Sequence, residues 1–75
     1  MSANFPVAFL YFVDDYECSQ ALQFVSDQEI DIYDFYQYGV NLIGFTSIEG
    51  FETCKEFCSN SQFMFVSYVI QLINL

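Results

Sequence analysis

The chain has 75 residues, 55% apolar and 21% aromatic, with ten Asp and Glu against one Lys and no Arg or His, for a formal charge of −9. That length holds a single domain, and the apolar content excludes intrinsic disorder, which needs low hydrophobicity beside high charge. Direct nucleic-acid binding is excluded because several cations are needed to meet phosphates, and chemistry that depends on His is excluded outright.

The elements are legible in chain order. Residues 7–13 form a continuous run rich in β-branched and aromatic side chains, the mark of a buried strand. Asp14 follows as a helix N-cap, and Glu17, three residues on, completes a capping-box pattern. Cys18, Ala21, Leu22 and Val25 then recur at i, i+3, i+4 and i+7 as one helical face, with Leu22 its largest side chain. Asp27 ends this helix. Glu29-Ile30-Asp31-Ile32-Tyr33 alternates with period two, as a half-buried strand does. Gly39 turns the chain into an apolar strand over 40–46. Ser47 caps a second helix with inner face Phe51, Cys54 and Cys58, and with Glu49, Glu52 and Glu56 grouped outside. A last strand lies in 63–73. The expected bounds are helices 15–26 and 48–58, and strands 7–13, 29–36, 40–46 and 63–72.

That order is βαββαβ, and an internal repeat supports it. A shift of 33 residues lays Phe12 on Phe45, Asp14 on Ser47, Cys18 on Phe51, Ala21 on Cys54, Phe24 on Phe57 and Val25 on Cys58. Caps meet caps and core positions meet core positions, as a split βαβ duplication requires. The expected fold is α+β: a ferredoxin-like sandwich of one antiparallel four-stranded sheet with two helices on one face, spanning 1–75 as a single domain. Gly50, inside the second helix, is the position that fits this scheme least well.

The three cysteines, Cys18, Cys54 and Cys58, have no disulfide-framework spacing and read as reduced structural thiols of an intracellular protein. No His completes a zinc site, and no Gly-rich phosphate loop is present, so neither metal nor cofactor is expected. No basic n-region precedes the first apolar run. The apolar stretch 63–75 is thirteen residues, short of the roughly 20 that span a bilayer, so no membrane partner is expected.

Phe12-Val13-Asp14-Asp15 resembles the aromatic-x-Asp-Asp signature of reverse-transcriptase palm domains, which also contain a ferredoxin-like core. In that family the Asp pair sits in a hairpin, whereas here it precedes a helix, where Asp14 serves as cap and Asp15 and Glu17 suit the positive helix end. The small ferredoxin-like nucleases of CRISPR systems, with an acidic residue at the end of the first strand, are similar in the same limited way. Neither class has an equivalent here of the basic residues that hold its substrate. An enzyme is not expected.

A binding protein remains, and its carboxylates form two arrays: Asp27, Glu29, Asp31 and Asp34, and the helical stripe Glu49, Glu52 and Glu56. In a strand, Glu29 and Asp31 would project on one side about 6.7 Å apart. An anionic field steers a basic partner and meets it with charge-assisted hydrogen bonds, and the commonest basic surfaces in cells bind nucleic acid. In size and acidity the chain is similar in type to small phage-encoded inhibitors that mimic nucleic acid, including anti-CRISPR proteins and uracil-DNA glycosylase inhibitors. That similarity implies an intracellular inhibitor (in the host cytoplasm if viral) of a basic nucleic-acid-binding protein. The alternative is a homodimer or complex subunit that uses an apolar sheet face carrying Tyr33, Phe35 and Tyr68.

Overall fold

A computed structural model describes residues 6–34 and 41–70. Its elements are β1 (Ala8–Phe12), α1 (Asp15–Asp27), β2 (Ile32–Asp34), β3 (Leu42–Phe45), α2 (Ile48–Asn60) and β4 (Phe65–Val69). The strands form one sheet in the order β2-β3-β1-β4, every neighbouring pair antiparallel. This is the ferredoxin-like βαββαβ arrangement.

Each helix starts where the sequence supplies a cap. Asp14 is extended, and its Oδ1 accepts the Tyr16 N–H at 2.8 Å. Ser47 is extended too, and its Oγ accepts the Gly50 N–H at 3.1 Å. The reciprocal half of the expected capping box is replaced by a longer reach: Glu17 Oε1 accepts the N–H of Met64, 47 residues away, at 2.8 Å. That bond pins the first turn of α1 to the entrance of β4, and Asp15 adds a second tie by accepting from Asn41 Nδ2 at 2.6 Å.

Both helices also end the same way. After α1, the Ile30 N–H bonds Val25 O and the Glu29 N–H bonds Ser26 O. After α2, the Phe63 N–H bonds Cys58 O and the Gln62 N–H bonds Ser59 O. These are paired Schellman turns, with Glu29 (φ 55°) and Gln62 (φ 61°) in the left-handed position that usually falls to glycine. Glu29 is therefore part of a turn, which corrects the expected strand start at residue 29. The alternation over 29–33 arises because the turn tucks Ile30 inward just before β2 does the same with Ile32. Phe63 and Met64 likewise precede β4 rather than belonging to it.

The duplication extends to the register. Leu10 pairs with Ile43, its own equivalent under the 33-residue shift. Phe24 stacks on Phe57, also its equivalent, with ring centroids 4.2 Å apart and planes 8° from parallel. Residues that touch their own repeat mates must lie at a local two-fold axis, so the axis runs from the β1–β3 pair to the α1–α2 contact.

The core lies between the sheet and the helices. Ala8, Leu10 and Phe12 from β1 and Ile43 and Phe45 from β3 meet Cys18, Ala21 and Val25 of α1 and Phe51, Cys54 and Cys58 of α2, all buried. Phe45 meets Phe51 edge-on at 5.8 Å, a favoured aromatic geometry. Leu22 is only half-buried at the core margin; the centre of the α1 face is made of the smaller Cys18, Ala21 and Val25. Gly50 has a packing reason to be glycine, because a Cβ there would stand 2.7 Å from Ile30 Cγ2.

Candidate functional site

The acidic residues divide into structural and surface groups. Asp14, Asp15 and Glu17 are engaged in the cap and inter-element bonds already described. Asp27, in the last turn of α1, accepts from Gln23 Nε2 at 2.9 Å. Asp31 accepts from Thr46 Oγ1 at 3.0 Å, which ties the residue before β2 to the end of β3. Glu29, Glu49, Glu52 and Glu56 are exposed. Asp34 closes β2, and Phe35 lies outside the described residues.

The fold brings members of the two arrays together. A groove of about 360 Å³ runs between the α1–β2 turn and the first turns of α2, lined by Gln28, Glu29, Ile30, Asp31, Ser47, Glu49, Gly50 and Thr53. Three carboxylates from both arrays thus border one concavity. Glu29 reaches it from the left-handed turn position rather than from a strand, so the in-strand spacing expected for Glu29 and Asp31 does not apply. Glu52 and Glu56 continue down α2, and Asp27 closes α1 one residue before Gln28; none of these three lines the groove. Lys55 sits with Nζ 5.6 Å from the centroid of the Phe51 ring, a cation–π contact. Sequence reasoning missed Gln28, Ser47 and Thr53 as groove residues, since no periodicity places the end of one helix beside the start of another.

The second candidate surface is the sheet face away from the helices. In register, Tyr33, Gly44, Phe9 and Tyr68 form one cross-strand row, and Leu42, Tyr11 and Val66 the next. Gly44 is buried despite lacking a side chain, so its neighbours cover it, as aromatic flanks do for sheet glycines. Toward β4 the face opens: Tyr11, Val66, Tyr68 and Met64 are exposed, Tyr68 by 60% and Met64 by 67%.

The three cysteines are buried and none forms a disulfide. The contact with Cys58, reinforced by burial, holds the Cys54 thiol far above its ordinary range, so it stays protonated and serves as core filling. Among the described residues no group of three or more His, Cys, Asp or Glu is placed to hold a metal ion, and no helix is long and apolar enough to cross a membrane.

Compared with known proteins, the chain matches no protein-family model, no curated protein and no solved structure.

Proposed function

We propose that this is a small non-enzymatic binding protein that occupies the basic nucleic-acid-binding surface of another protein, as virus- and phage-type inhibitors that mimic nucleic acid do. It acts inside the cell, in the host cytoplasm if viral. The observation that carries the reading is the convergence of Glu29, Asp31 and Glu49 on one groove of a chain with a single Lys. Arg side chains of a partner suit such a site because a guanidinium meets carboxylates with paired hydrogen bonds. The cost of the charge supports it as well. Asp27 lies in the last turn of α1, where the helix dipole is negative and no basic residue offsets it. Glu52 and Glu56 repel each other across one turn of α2. A second reading, a homo-oligomer or complex subunit joined through the apolar sheet face, is favoured by the exposure of Met64 and Tyr68.

The test is capture from cell lysate on immobilised protein, with captured proteins identified by mass spectrometry. Two amide variants accompany the wild type: Glu29→Gln with Asp31→Asn and Asp34→Asn, and Glu49→Gln with Glu52→Gln and Glu56→Gln. At least one should capture the partner less well while remaining folded. Full capture by both would assign binding to the sheet face instead.

A further inference from the structure

The local two-fold axis makes β2 and β4 structural twins at opposite edges of the sheet, yet their charges differ completely. The 33-residue shift carries Asp27 to Asn60, Glu29 to Gln62, Asp31 to Met64 and Asp34 to Ser67. Each of these carboxylates of the α1–β2 segment is neutral at its counterpart in the α2–β4 segment, two of them replaced by the matching amide. No Asp, Glu, Lys or Arg follows Glu56 anywhere in the chain.

Among the described residues the β4 edge also lacks the usual protection. Exposed edge strands are ordinarily blunted by Lys, Pro, bulges or short length. β4 reads Phe-Val-Ser-Tyr-Val over five residues, with none of these devices, whereas β2 has three residues and ends on Asp34. The Ile70 N–H donates to Val7 O at 2.8 Å. By the two-residue alternation of an antiparallel ladder, Val66 and Tyr68 also turn their backbone groups toward β1, while Phe65, Ser67 and Val69 turn theirs outward.

We propose that the occupant of this edge is a second copy of the chain, paired β4 to β4 in antiparallel fashion about Ser67. Ser67 then meets its own mate on the dimer axis, Phe65 pairs with the partner copy's Val69, and Val66 lies opposite Tyr68. Aromatic and β-branched residues so matched are favourable cross-strand neighbours. Such a contact is isologous, as a two-fold dimer requires. Charge selects the occupant: two chains of −9 repel along most approaches, and the β4 edge brings them together with no carboxylate on either paired strand, the nearest being Glu17, which is engaged by the Met64 N–H. The product is an eight-stranded sheet with four helices on one face and the two acidic β2 edges at its far ends.

The experiment is sedimentation of the purified full chain at low and high salt, combined with residue-resolved amide hydrogen exchange. The proposal requires a dimer in which the N–H groups of Phe65, Ser67 and Val69 are protected along with those of Val66 and Tyr68. Two variants test the seam. Val69→Pro removes an outward N–H from each copy without touching the β1–β4 ladder, and should weaken the dimer at least about tenfold. Met64→Asp with Ser67→Asp copies the twin edge onto β4 and should give a monomer. A monomeric wild type overturns the proposal. So does a dimer whose Phe65, Ser67 and Val69 amides exchange freely, since that dimer would be joined through the sheet face. Neither outcome bears on the acidic groove, which is tested by the amide variants above.

Discussion

Gly50→Ala sets two known effects against each other. An alanine in place of glycine within a helix normally stabilises by up to about 1 kcal/mol. Here the new Cβ would stand 2.7 Å from Ile30 Cγ2 and 3.1 Å from the capping Ser47 Oγ. Ile30 cannot easily retreat: it is β-branched and stiff at χ1, and its N–H is held by Val25 O in the Schellman turn at 2.9 Å. Overpacking of this kind costs about 1–3 kcal/mol, and a rigid neighbour puts it in the upper part of that range. The net expectation is a loss of about 1–2 kcal/mol, or about 6–13 °C in melting temperature for a domain of this size. Thermal and urea melts of the single variants and of Gly50→Ala with Ile30→Ala complete a double-mutant cycle. On the Ile30→Ala background the alanine should become neutral or stabilising. If Gly50→Ala raises the melting temperature of the wild type, the close approach of α2 to the α1–β2 turn is wrong.

Further expectations concern the caps, the core and the inter-element bond. Gln62→Gly, which relieves a left-handed side-chain residue in the second Schellman turn, should stabilise by about 0.5–1 kcal/mol in urea melts. Phe51→Ala, at a fully buried site between β3 and α2, should cost about 3–5 kcal/mol. Leu22→Ala, at the half-buried margin, should cost less, toward about 2 kcal/mol, and chemical denaturation of the two variants side by side checks that order. Glu17→Ala removes the acceptor of the Met64 N–H and should speed hydrogen exchange at Met64 while lowering stability by about 1 kcal/mol.

Much of the fold was legible because local signals and the repeat agreed. Asp14 and Ser47 cap the helices where their side chains indicated, and the buried faces of both helices follow the expected spacing. The 33-residue shift lays Val25 on Cys58, and it also carries Ile30 to Phe63; these four residues make the same turn bonds in each half. What was hidden depends on backbone conformation or on tertiary meeting. Glu29 does not advertise a left-handed conformation, since glycine or Asn usually fills that place, so a turn plus a short strand looked like one longer strand. Glu17 had a local role available in a capping box and took a distant one instead. The groove joining Glu29 and Asp31 to Glu49 exists only once α2 packs beside the α1–β2 turn. Gly50 looked like a flaw until Ile30 was seen against it.

The central functional claim is that the carboxylates stand in for nucleic-acid phosphates, and competition measures this most directly. A protein captured by the immobilised chain is challenged with duplex DNA, with single-stranded RNA and with rising salt. The captured protein should itself bind nucleic acid, nucleic acid should displace it, and its affinity should fall as salt rises. Capture that persists at full strength in the presence of saturating nucleic acid, with unchanged salt dependence in both amide variants, would contradict that claim.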